Sequence, residues 1–144
     1  MNKNFWFESL VLMFQKEVAE RIIAEFNTSK YGRLSILSNW KLNIKKIMDI
    51  KSQSFSPRPK VDSTLLLFTP RENFFELEDA KNLEMLTRIF FSQRRKMLKK
   101  PFNQIFSNAK EVSEKFNINL NLRPQNLETE MYFKLVKEYE NLKS

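Results

Sequence analysis

The sequence predicts a mixed α/β part followed by an all-α part, with the change near residue 72. Three observations carry this. Leu10-Val11-Leu12-Met13-Phe14 is a continuous apolar run, the pattern of a strand covered on both faces, as in a parallel sheet. Ser63 to Thr69 is β-rich, with Leu65, Leu66, Leu67 and Phe68 in a row. From Asp79 onward the apolar residues Leu83, Leu86, Phe90 and Met97 recur near the helical period, and Ile89 and Phe91 widen the stripe.

The remaining elements follow in order. Lys16 to Glu25 reads as a helix, with Val18, Ile22 and Ile23 on one face and Glu17, Glu20 and Arg21 on the other. Lys16 and Glu17 have a catalytic reading, but Glu17 in the first turn is better explained by the helix dipole. Asn27 to Gly32 is a loop, and Arg33 to Trp40 a short helix burying Leu34, Leu37 and Trp40. Ile44 to Ile50 alternates imperfectly and reads as a strand. Pro57 and Pro59 make Ser54 to Lys60 a stiff extended loop. In the second part, Pro101 interrupts a helix or starts the next one. Asn108 is placed to cap a helix from Ala109 to Phe116. A last helix from Leu127 to Leu142 buries Leu127, Met131, Leu135, Val136 and Tyr139. A doubly covered strand needs parallel neighbours, and the chain supplies few. Residues 1–71 therefore read as one side of a larger sheet whose other strands precede Met1, and residues 72–144 as a helical domain.

Composition narrows the chemistry. With 42% hydrophobic and 13% aromatic residues in 144, the chain can bury a core. Its formal charge of +8 and pI of about 9.7 point to a polyanionic partner, nucleic acid or an anionic membrane surface. Cys and His are absent. Thiol nucleophiles, Cys/His zinc sites and histidine acid–base chemistry are excluded, and no carboxylate cluster suggests a metal. No apolar run reaches transmembrane length and no leader follows Met1, so the expected location is cytoplasmic with no membrane partner. Gly32 is the single glycine. Phosphate cradles and nucleoside-cofactor loops need several, so that backbone can approach the ligand.

Two segments stand out. In Phe55-Ser56-Pro57-Arg58-Pro59-Lys60, the prolines present Phe55 on a rigid support. Phe55 is either a loop anchor packed into the core, the reading the residues alone favour, or an aromatic that holds a base flipped out of its stack. In the second segment, no acidic residue occurs between Met85 and Lys110, while Arg88, Arg94, Arg95, Lys96, Lys99, Lys100 and Lys110 are basic. On one continuous helix Arg88, Arg95 and Lys99 share a face, with Lys96 beside them. A solvated helix face interleaves Glu with Lys, and this one does not. Contact with a phosphate backbone is expected, giving affinity but no sequence choice.

Five stretches, LMFQKEVAERI, YGRLSIL, FSPRPKVDSTLLLFTPR, FFSQRRKMLKK and LRPQNLETEMYFKL, together resemble the KsgA-type ribosomal RNA adenine dimethyltransferase family, in its order and at about its spacing. The resemblance covers essentially the whole chain. It implies the C-terminal part of a Rossmann-like S-adenosylmethionine methyltransferase sheet, with the last strand antiparallel, followed by a small all-helical domain that touches the small ribosomal subunit. It implies that Phe55 helps hold the target adenine while a methyl passes directly to the exocyclic amine, and its SQRRK text supports the charge reading that Arg88, Arg94, Arg95, Lys96, Lys99 and Lys100 bind RNA, here of the small ribosomal subunit. The family's glycine-rich loop, its ribose-binding acid and its Asn-Leu-Pro-Tyr motif have no counterpart here. S-adenosylmethionine is thus implied for the intact enzyme but not expected to bind this chain alone, and a missing N-terminal half is an expected partner. A non-catalytic RNA-binding or ribosome-assembly module, and a relative acting on the large subunit or in mitochondrial transcription, are the competing readings.

Overall fold

The computed structural model describes residues 7–143. Three strands, β1 (Leu10–Gln15), β2 (Leu42–Ile50) and β3 (Ser63–Pro70), form one sheet in the order β1-β3-β2. β3 lies antiparallel to both neighbours: Leu10 pairs with Phe68 and Gln15 with Ser63, while Leu42 pairs with Pro70 and Ile50 with Ser63. The β2–β3 register shifts between Lys46 and Met48, which explains the imperfect alternation of that stretch: a bulge moves later side chains out of phase.

The antiparallel last strand agrees with the resemblance. The burial expected for Leu10 to Phe14 does not hold. β1 is an edge strand, and Val11 and Met13 are 49% and 52% exposed. The physical reason is that only one face of the sheet is covered among the described residues. Helix α1 (Lys16–Ile23) lays Ala19 and Ile22 over Leu66 and Phe68, with Leu10, Phe14, Leu42 and Ile44 around them. The opposite face carries Val11 beside Leu67 and Met13 beside Leu65, by register.

Helix α1 stops at Ile23 rather than Glu25 because side chains of α2 (Arg33–Ser38) and the residue after it take its last carbonyls. The Ser35 hydroxyl donates to Arg21 O at 2.6 Å, and Asn39 Nδ2 donates to Ile22 O at 3.0 Å. These bonds set the rotation of α2. Ile36 is buried, and Leu34, expected inside, is exposed.

The second core is helical. It joins α3 (Ala80–Phe91), α4 (Lys99–Ile105), α5 (Ala109–Lys115) and α6 (Thr129–Lys143) around Leu83, Leu86, Phe90, Phe102, Tyr132 and Leu135. Asp79 caps α3, its carboxylate accepting from Lys81 N at 2.9 Å. Pro101 lies in the first turn of α4, so it starts a helix. Asn108 precedes α5 but its side chain does not cap it; its amide donates to Glu111 Oε2 at 3.4 Å instead. Leu127 is buried but lies before α6, next to a 3-10 turn at Pro124–Asn126.

The helical core also takes in residues from the first part of the chain. Tyr31 and Ile36 are buried in the helical cluster, and the Tyr31 hydroxyl bonds to Leu127 O at 2.8 Å and to Thr129 Oγ1 at 3.2 Å. Arg33 adds a second tie, donating to Thr87 Oγ1 at 3.3 Å and to Glu84 O at 2.9 Å.

Candidate nucleic-acid interface

Phe55 follows a 3-10 turn at Ser52–Ser54 and donates its N–H to Ser52 O at 3.2 Å. Its backbone is extended, at φ −109° and ψ 153°, and the Ser56–Pro57 bond is cis. The ring is half-buried and belongs to neither core, while residues 56–61 are exposed. The base of the loop is held at two points by Asp62. Its carboxylate accepts from Ser52 N at 2.9 Å, and its carbonyl accepts from Lys16 N at 2.9 Å, where α1 begins. The loop therefore stands at the carboxyl ends of β1 and β2. In α/β sheets that end is the usual side for ligands.

Nearby, Asp49 accepts from Lys46 Nζ at 2.8 Å and from Thr64 Oγ1 at 2.7 Å. These two hydrogen bonds, Lys46 first, hold its carboxyl below the usual range. Both partners of Asp49 lie within the sheet, so it reads as a strut between β2 and β3.

The basic run does not lie on one helix, contrary to expectation. Helix α3 ends at Phe91, where the Ser92 hydroxyl turns back onto Ile89 O at 2.8 Å. Arg88 is in the last turn of α3, Arg94, Arg95 and Lys96 are in the turn that follows, and Lys99 and Lys100 open α4. The break has a packing cause. It lets the Phe102 ring return to 5.5 Å from Phe90, whereas on a straight helix the two would stand about 18 Å apart along the axis. For the same reason Met97, expected in the apolar stripe, is exposed, and Leu98 is buried.

Arg88, Arg95, Lys96, Lys99 and Lys100 are exposed. Among the described residues the ion pairs are Arg21–Glu17, Lys30–Glu20, Lys46–Asp49 and Lys115–Glu138, and none draws on the basic turn. Arg94 differs. It is half-buried, with its guanidinium carbon 5.9 Å from the Phe91 ring centre. Its Nη1 lies 3.8 Å from where a Cβ on Gly32 would stand. This seat, and the Arg33 tie, were not visible in the sequence, because both join residues far apart in the chain. A pair of backbone bonds was equally hidden: Leu98 N donates to Leu122 O at 2.8 Å and Lys99 N to Leu120 O at 3.2 Å. Among the described residues no group of acidic, His or Cys side chains is gathered to hold a metal, and no helix is long and apolar enough to cross a membrane.

Comparison with known proteins gives these features a context. The family described as Ribosomal RNA adenine dimethylase matches residues 2–141. A Ribosomal RNA small subunit methyltransferase A of Pelagibacter ubique (strain HTCC1062) is 78% identical over 143 residues, covering 99% of this chain and 55% of that protein. Its counterpart in Prochlorococcus marinus (strain AS9601) is 39% identical over 139 residues, covering 94% and 51%. The chain thus spans about half the length of the curated relatives it matches. A crystal structure of a dimethyladenosine transferase from Plasmodium falciparum superposes with a TM-score of 0.77 at 28% identity, over 97% of this chain and 59% of that one. The 23S rRNA methyltransferase ErmE shares the fold, with a TM-score of 0.61 at 17% identity over 92% and 55%. With nearly every residue inside the family match, this chain belongs to the ribosomal RNA adenine dimethylase family.

Proposed function

We propose that this chain is the target-base and RNA-contacting half of an S-adenosylmethionine-dependent enzyme that dimethylates the N6 amine of adenines in small-subunit ribosomal RNA. The observation that carries the reading is the exposed set Arg88, Arg95, Lys96, Lys99 and Lys100, which no carboxylate of the described residues neutralises. Exposed cations without internal partners suit a phosphate backbone. Phe55, on a loop stapled by Asp62 at the carboxyl ends of β1 and β2, offers an aromatic face to a base turned out of its stack. A cytoplasmic location goes with this reading.

The residues of this chain do not fit S-adenosylmethionine on their own. Gly32 is extended, at φ −174°, and its Cβ position faces Arg94 at 3.8 Å and Phe91 at 3.9 Å. It precedes α2 beside the basic turn, not in a loop at a strand end. We assign the cofactor to an upstream half that would pair with the free edge of β1 and cover Val11, Met13, Leu65 and Leu67. The length of the relatives supports such a half.

The test supplies the upstream half of the Pelagibacter ubique relative in trans. This chain alone should give no heat on titration with S-adenosylmethionine, whereas the mixture should bind it and methylate small subunits. Phe55→Ala in the mixture should cut methylation roughly tenfold, by loss of about 1–3 kcal/mol of stacking. Micromolar binding by this chain alone would overturn the assignment of the cofactor. A second reading, a non-catalytic RNA-binding or ribosome-assembly module, draws support from the fact that the basic turn is complete in this chain without any added segment. RNA binding without methylation in the mixture would favour it.

A further inference from the structure

Phosphate contacts leave open how the basic turn tells one RNA shape from another. Two side chains in its midst bear on this. Met97 is 54% exposed and lies between Arg95-Lys96 and Lys99-Lys100. Leu122, 36% exposed, belongs to the neighbouring loop. The Leu98 N–H to Leu122 O bond at 2.8 Å and the Lys99 N–H to Leu120 O bond at 3.2 Å join the two segments. The backbone beneath each is anchored. Leu98 is fully buried in the helical core, which fixes its neighbour Met97 outward. The loop before Leu122 is turned by Asn119, whose side chain accepts from Asn121 N at 2.9 Å and whose carbonyl accepts from Leu122 N at 3.1 Å. A single exposed apolar residue is ordinary. Two on segments joined by backbone bonds, flanked by the exposed cations Arg95, Lys96, Lys99, Lys100 and Arg123, put apolar surface within a cationic rim.

We propose that Met97 and Leu122 form a wedge that packs against an unpaired or splayed base of structured RNA, while the surrounding cations hold the adjacent phosphates. The proposal rests on the RNA-binding reading of the basic turn and adds shape selectivity to it. The charge of the rim favours RNA over other occupants: a wedge between bases works when phosphates on either side are held, and RNA offers such bases at loops and bulges, not along an uninterrupted helix.

The test compares the intact chain with a Met97→Ser/Leu122→Ser variant on two RNAs of equal length, a small-subunit ribosomal hairpin with an unpaired loop and a perfect duplex. Affinity is measured across a salt series. The variant should bind the hairpin on the order of tenfold less tightly, bind the duplex as tightly as the intact chain does, and keep the slope of log affinity against log salt. A Met97→Leu variant should retain hairpin binding. Equal binding of both RNAs by the serine variant and the intact chain, or an equal loss on both, overturns the wedge. So does unchanged RNA binding with loss of binding to a ribosomal protein, which would give the tip to a protein. An intact chain whose RNA binding ignores salt would instead sink the reading of the basic turn, and the wedge with it.

Discussion

Glu140 shows how much one side chain can organise. Only 4% exposed, it accepts from Glu78 N at 3.0 Å, Asp79 N at 3.2 Å and Asn82 Nδ2 at 2.7 Å, so α6 holds the start of α3. Burial alone would raise its pKa. The bonds from Asn82, Glu78 and Asp79, together with the charge of Lys137, outweigh burial and hold it below the usual carboxylate value. The folded pKa is thus lower than the unfolded one. The stabilisation is present above the unfolded value and is lost as pH falls through the folded value. Urea midpoints measured from about pH 7 down to about pH 3 should fall more steeply for the intact chain than for Glu140→Gln. Glu140→Ala should cost about 1–3 kcal/mol at neutral pH, because three donors lose their acceptor. Arg94 separates stability from binding. Its seat on Phe91 beside Gly32 predicts that Arg94→Ala lowers the urea midpoint by an amount worth about 0.5–1 kcal/mol as well as weakening RNA binding. Arg95→Ala should weaken RNA binding alone. Equal stability of the two variants would show that the Phe91 ring contributes nothing to holding Arg94.

At the scale of elements, the break between α3 and α4 spreads the cations over a helix end, a turn and a helix start. Each exposed cation can therefore meet a different phosphate. Substituting Arg95, Lys96 and Lys99 by Ala should flatten the salt dependence of RNA binding by about 0.7–0.9 for each phosphate no longer neutralised; an unchanged slope would remove these residues from the interface. The break was not legible in the sequence. No glycine or proline marks Ser92, and Pro101 comes only after α4 has begun. What ends α3 is the return of Phe102 to Phe90, a packing that no local pattern records. Where signals are local, the reading held for Asp79 before α3 and for the β-rich run of β3; Ser54 to Lys60, expected extended throughout, instead begins in a 3-10 turn and bends at residues 55–57, with a cis Ser56–Pro57 bond. Leu34, expected inside, is exposed and Ile36 is buried because bonds from α2 to α1, not helical periodicity, set which side of α2 faces inward. The apolar run of β1 announced a covered strand, yet periodicity cannot say which segment does the covering.

At the scale of the whole molecule, an apolar sheet face carrying Val11, Met13, Leu65 and Leu67 has no layer over it among the described residues. If the upstream half fills that space, Val11→Lys and Met13→Lys should leave the urea midpoint of this chain within about 0.5 kcal/mol, as for exposed sites, and yet abolish complementation in trans. Complementation by the double variant at the level of the unmodified chain would send the upstream half elsewhere.

Helix α2 is bonded to α1 through Ser35, with Asn39 just past its end adding a second bond, and is buried in the helical core through Ile36. The sheet and the bundle consequently share α2 as a common element. Under the proposed reading, the aromatic that receives the base and the cations that grip the backbone sit on the two parts that α2 joins. On that reading, RNA whose target and gripping point are offset by an inserted base pair should be methylated less well than RNA of the native spacing.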